Sequence, residues 1–132
     1  MTIIENTVTV KQSVGQVYAY LADCNNHEAL MPENIYNWSS TRDEARFTIQ
    51  NMAKLALKVD QRKEDEEVVF IPSEKAPFDV TLRWTLASED EQSTKATLRI
   101  EADLNMMMKM LASGPLQKLV DHQVSKLAEI LE

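Results

Sequence analysis

The stretch "DCNNHEALMP", residues 23 to 32, holds the side chains of this chain best suited to chemistry. Asp23, Cys24 and His27 stand close together in it. On a helix, a histidine four residues from an aspartate can pair with it, and the carboxylate then raises the imidazole pKa. A cysteine beside such a pair suggests a nucleophile with an attendant base. The spacing is common by chance, so a surface or helix-capping role for His27 competes with catalysis. His122 adjoins Asp121 in the last segment and reads as solvent-facing. No two histidines have metal-ligand spacing, and no carboxylate–histidine cluster supports a metal. Cys24 is the single cysteine, which excludes an internal disulfide. We assign no catalytic residue, no metal and no cofactor. A general base could come from a residue such as Asp60, Glu33 or His27, but nothing singles one out.

Softer chemistry gathers near the other end, in "NMMMKMLASGPLQKLV", residues 105 to 120. Methionine is unbranched and polarisable, so it fills irregular space and adapts to varied contents. On one helix, consecutive residues lie about 100° apart, so Met107, Met108 and Met110 cover two faces. They read either as core filling with one partly exposed side chain, or as an adaptable lip over a cavity. Gly114-Pro115 would bend the helix there, because proline removes a ladder bond and clashes with the carbonyl four residues back. Tyr36 and Trp38 fall on one face of their strand, and Trp84 faces the core. Each is either a large core filler or a polar tip that orients a ligand in an apolar hollow.

The elements that would position these residues follow from period. "TIIENTVTV" alternates and is β-branched, giving a strand over about residues 2 to 11. Val14, Val17, Tyr18 and Leu21 fall at helical spacing, with Ser13 and Gln16 as a capping box. "CNNHEALMP" continues as a short second helix or turn and stops at Pro32. From residue 35 the period is two. "IYNWSST", "ARFTIQ", "AKLALKVDQRK" and "EEVVFIPS" are strands, with a tight turn at Asn51-Met52.

"FDVTLRWTLAS" and "TKATLRIEADL" form the clearest hairpin. Phe78, Val80, Leu82, Trp84 and Leu86 share one face of it, as do Ala96, Leu98, Ile100, Ala102 and Leu104. One face is oily and the other polar, the mark of an antiparallel sheet covered on one side. Residues 105 to 131 form a helix with the stripe Leu116, Leu119, Val120, Val124, Leu127 and Leu131. At 1.5 Å per residue it spans roughly 40 Å, enough to cross the sheet.

The 132 residues fit a single domain, 1–132, large enough to bury a core without staples. A net charge of −7 argues against nucleic acid and anionic membranes as partners. The acidic runs "RKEDEE" and "SEDEQS" read as solvated turns. The N-terminus lacks the pattern of a signal peptide, and no run has the length of a membrane span, so the expectation is a cytoplasmic protein.

In this order the segments resemble a known family. "TVTVKQSVGQVYAYLADCNNHEALMP", "FTIQNMAKLALKV", "FDVTLRWTL" and "ATLRIEADLNMMMKMLASGPLQKLV" together resemble the START-like, or SRPBCC, superfamily. The nearest pattern is that of its small bacterial members, often labelled polyketide cyclase/dehydrase-like. The resemblance implies an α+β helix-grip fold, as in birch-pollen-allergen-like proteins. A seven-stranded antiparallel sheet curves around a long C-terminal helix, with two short helices after the first strand. It also implies a cavity for a small apolar ligand, such as a lipid or a polycyclic compound. The side chains expected to line that cavity are Tyr36, Trp38, Phe47, Leu57 and Phe70 from the middle strands. Phe78, Leu82, Trp84, Leu98 and Ile100 come from the hairpin, and Met107, Met108 and Leu111 from the helix. Where relatives often carry Gly, this chain has Asn51, which takes the same backbone conformation. An aromatase/cyclase-like enzyme and a protein-interaction module are the alternative functions. A monomer or weak homodimer is expected.

Overall fold

A computed structural model describes residues 1–132. The chain runs β1 (Thr2–Val10), α1 (Val14–Leu21), a 3-10 helix (Cys24–Leu30), β2 (Ile35–Ser40), β3 (Glu44–Ile49), β4 (Ala53–Lys63), β5 (Glu67–Pro72), β6 (Val80–Asp90), β7 (Ser93–Ala102) and α2 (Met106–Ile130). All seven strands join one antiparallel sheet in the order β1-β7-β6-β5-β4-β3-β2. The sheet curls around α2 in the helix-grip arrangement. No helix is long and apolar enough to cross a membrane.

The period-two pattern folds as alternation dictates. Leu82, Trp84 and Leu86 pair across β6–β7 with Ile100, Leu98 and Ala96, and all six are buried. On the wet face Arg83 bonds Glu67 at 3.0 Å and lies 3.9 Å from Glu101, so cross-strand ion pairs line it. Asn51 takes a positive φ of 62° at the β3–β4 turn. Ser13 caps α1, its hydroxyl accepting from the Gln16 N–H at 3.4 Å.

Three register shifts break the alternation, one of them at the β6–β7 turn between Ser88 and Asp90, and the other two re-aim side chains near the sheet's inner face. Tyr36 pairs with Thr48 and Ser39 with Arg46, so Asn37 and Trp38 together oppose Phe47. Asn37 is left-handed, with φ 56°. The extra residue reverses parity. Tyr36 and Trp38 therefore do not share a face: Tyr36 is exposed, and Trp38 turns inward onto Phe47. In β4 the register shifts between Val59 and Gln61. Arg62, opposite buried Val68, is thereby brought to the inner side.

α2 packs against β1, β7 and the 3-10 helix, while α1 lies over β5, β6 and β7. Asn105 caps α2, its Oδ1 accepting from the Met108 N–H at 2.8 Å. Ala112, Leu116, Leu119, Val120, Val124 and Leu127 form the buried stripe, with Gln123 among them. Leu131 is only part-buried. α2 runs without interruption through Gly114-Pro115.

Leu98 belongs to the core and is fully buried, whereas Met107 is 72% exposed. Leu98→Ala should lower unfolding free energy by about 3 kcal/mol, and Met107→Ala by less than about 0.5 kcal/mol. Urea denaturation followed by circular dichroism measures both; similar losses would put the methionine run in the core instead.

Candidate functional site

A small cavity of about 30 Å³ lies between the sheet, the 3-10 helix and α2. Trp38, Ala45, Phe47, Leu57, Phe70, Leu82 and Trp84 line it from β2 to β6. Cys24, His27 and Met31 line it from the 3-10 helix and its end, and Leu119 and Gln123 from α2. Met31 and Trp38 are its part-exposed wall, so its mouth lies between the end of the 3-10 helix and β2.

The wall is held by polar contacts that stay outside it. Trp38 stacks on Phe47 with centroids 5.4 Å apart. Its indole N–H donates to Ser40 Oγ at 2.9 Å, and Ser40 donates to Asn25 Oδ1 at 2.7 Å. β2 is thereby tied to the 3-10 helix. The Arg62 guanidinium donates to the carbonyls of Ala22 at 2.9 Å and Arg42 at 3.0 Å, and pairs with Asp43 at 2.8 Å. His122 is half-buried, its Nδ1 3.0 Å from the Leu30 carbonyl, which ties α2 to the 3-10 helix. The expectation that His122 faces solvent is therefore corrected.

His27 is buried inside the site. Its Nε2–H donates to the Leu21 carbonyl at 2.8 Å, and its ring meets Phe70 edge-on with centroids 5.2 Å apart. A 3-10 turn does not stack residues four apart as an α-helix does. Asp23 accordingly caps its own helix, accepting from the Asn25 N–H at 3.0 Å. Burial lowers the His27 pKa and outweighs the Leu21 bond and the charge of Asp23, which raise it. The expected upward shift is thus reversed, and the imidazole is neutral. Burial likewise pushes the Cys24 thiol up to about 11, against the pull of Arg62 and with the push of Asp23, Asp43 and Glu44. A protonated thiol is a poor nucleophile. Asp60 is exposed on β4, and Glu33 is exposed with Lys118 at 3.8 Å, so neither reaches the cavity.

Six of the side chains expected to line a cavity come together here: Trp38, Phe47, Leu57, Phe70, Leu82 and Trp84. Leu98 and Ile100 are buried in the core beyond its wall, and Phe78 is buried beside a separate shallow groove that Met108 also lines. Tyr36, Met107 and Leu111 do not reach it, being 47%, 72% and 70% exposed. Bulge parity turns Tyr36 out. Met107 lies twelve positions before Leu119, about 18 Å along the helix, so the methionines form no lip over this mouth. Met106, Met107, Met110 and Leu111 instead make an exposed apolar ridge. The other six lining residues, Cys24, His27, Met31, Ala45, Leu119 and Gln123, were not expected there, Cys24 and His27 having been weighed only for catalysis. Gln123 had a signal: it falls on the stripe between Leu119, Val120 and Leu127.

These features define a helix-grip domain with a small, mostly apolar interior cavity. No family model and no curated protein matches the chain. Solved structures do, at the level of the fold. XoxI from Bacillus cereus superposes with a TM-score of 0.78 at 9% identity, over 99% of this chain and 96% of that one. A START superfamily protein from Mycobacterium smegmatis gives 0.69 at 17% identity, over 98% and 96%. The Zhui aromatase/cyclase of a Streptomyces species gives 0.69 at 15% identity, over 98% and 93%. The architecture is the helix-grip fold expected from the sequence.

The neutral buried imidazole has a consequence for stability. Its ordinary pKa of 6.5 holds in the unfolded chain and a lower one in the folded chain. Between the two the unfolded chain binds more protons, so stability is whole above pH 6.5 and falls as pH drops below it. Glu67 acts later. Burial would raise its pKa, but the hydrogen bond and charge of Arg83, with Lys63, lower it below the ordinary 4.5. Urea midpoints should therefore fall as pH drops below 6.5, and His27→Gln should flatten that limb. An unchanged slope in the variant would show that His27 is not held neutral.

Proposed function

We propose that this protein binds a small hydrophobic molecule, a lipid or a polycyclic aromatic compound, in the cavity between the sheet and α2. The observation that carries the reading is the lining itself: two tryptophans, two phenylalanines, aliphatic residues, and only His27 and Gln123 as polar side chains. Small-molecule sites have this composition, at roughly 300 to 1,000 Å³. A space of about 30 Å³ holds little more than a water, so binding displaces side chains. Met31 and Trp38, the part-exposed side chains at the mouth, are the ones with room to move outward. A ligand burying about 300 Å² of its apolar surface gains roughly 7 kcal/mol, from which opening and association subtract. Cytoplasmic location and a monomer or weak homodimer, joined at the Met106–Leu111 ridge, complete the reading.

His27 favours a second reading, an aromatase/cyclase-like enzyme. A neutral imidazole in an apolar hollow can accept a proton as a folded ketide chain cyclises. Incubation with a linear polyketide thioester would then give a cyclic aromatic product that His27→Gln abolishes. Equal product from protein-free buffer would sink this second reading.

Both tryptophans of the chain line the cavity, so intrinsic fluorescence reports its occupancy directly. Titration with a panel of fatty acids and aromatic dyes should quench or shift emission with a Kd below about 1 mM, and native mass spectrometry of fresh protein should show a co-purified molecule. Ala45→Leu fills the cavity and should weaken the best ligand about tenfold or more at a modest cost in stability. Millimolar or weaker binding across the panel would end the proposal.

A further inference from the structure

The carbonyls of Leu21, Ala22 and Leu30 at the helix ends around the cavity each receive a side-chain donor, but one polar side chain lining it has none. Gln123 is only 1% exposed and lines the cavity from α2, yet its Nε2 is enclosed without a hydrogen-bond partner. A buried amide left unpaired costs about 1–3 kcal/mol, and each such group asks for an explanation. Leu or Met would fit the apolar stripe of α2 without that cost. The other polar lining side chain, His27, spends its Nε2–H on the Leu21 carbonyl and keeps Nδ1 without a partner in the protein.

We propose that the ligand of this cavity is a hydroxyl-bearing apolar molecule, a phenol or lipid alcohol, whose hydroxyl pairs with the Gln123 carboxamide and the His27 Nδ1. The inference rests on the cavity being a ligand site, as proposed above. A hydroxyl is the one common group that both accepts and donates at a single atom. It accepts from the amide N–H and donates to the imidazole lone pair; rotation of the carboxamide exchanges Nε2 for Oε1, and the hydroxyl then donates there. A hydrocarbon satisfies neither residue. A carboxylate finds no cation among the lining side chains, so its burial is opposed by desolvation. The Arg62 guanidinium is committed to Ala22, Arg42 and Asp43.

Calorimetric titration with 2-naphthol and 2-methylnaphthalene, a pair matched in size, isolates the hydroxyl. The wild-type protein should bind 2-naphthol about tenfold more tightly, one good hydrogen bond's worth. In Gln123→Met that preference should fall to about one. The side-chain NH₂ resonances of Gln123 in the wild-type protein, assigned by NMR, should move with 2-naphthol and stay put with 2-methylnaphthalene, which tests the contact without any variant. Both probes binding the wild type equally, or a preference that survives Gln123→Met, would overturn the hydroxyl assignment and leave the cavity reading standing; a lone water would then be the amide's partner. Neither probe binding would overturn both.

Discussion

One oily sheet face must be covered, and a single helix is too narrow to do it. Six strand spacings of about 4.8 Å make the sheet roughly 29 Å wide, while a helix with its side chains is about 10 Å across. α2 covers the β1–β7 side. Curling narrows the gap, and α1 closes the top of β5 to β7. What remains, over β2 to β5, falls to the 3-10 helix. The cavity sits where α2 and the 3-10 helix meet over the sheet. Its position follows from that shortage of width.

The polar contacts around the joint serve the covers. A helix leaves its last carbonyls without partners. The Leu21 carbonyl, ending α1, receives His27; Ala22 just beyond receives Arg62; Leu30, ending the 3-10 helix, receives His122. Each donor comes from a neighbouring element, so satisfying a helix end also locks two elements together. His27 and Cys24 are buried because the 3-10 helix is pressed into the gap, and burial keeps the imidazole neutral and the thiol protonated. Gln123 fits no such scheme, which is why it points to something the chain itself does not supply.

Much of this was legible in the residues, and the failures have physical causes. Alternation placed Leu82, Trp84, Leu98 and Ile100 inside, because period two is strict while the ladder is regular. It misplaced Tyr36, since a bulge needs only one residue in left-handed backbone and Asn37 carries no stronger mark than other asparagines. It gave Arg62 no inward role for the same reason, the register shift beside Asp60. Helical spacing found the core stripe of α2, but composition suggested a role at the cavity for methionines that lie a helix's half-length away. His27 was judged by its neighbours in sequence, as though on an α-helix; the 3-10 turn set it against Phe70 and Leu21 instead.

So small a cavity and a binding role are compatible only if widening it is cheap, and the mouth is built of side chains for which it is. Met31 is unbranched with several rotatable bonds, so it leaves one packed arrangement for another at small cost. Trp38 moves with β2, an edge strand already interrupted at Asn37 and joined to the sheet on one side only. By contrast Trp84, Leu82 and Leu57 belong to interior strands and are fixed by ladders on both sides. The floor of the cavity is therefore rigid and its rim is soft. A hydroxyl-bearing guest would press against the rim while its polar end met Gln123 and His27, and the energy of that one polar contact would choose among guests that the apolar wall accepts alike.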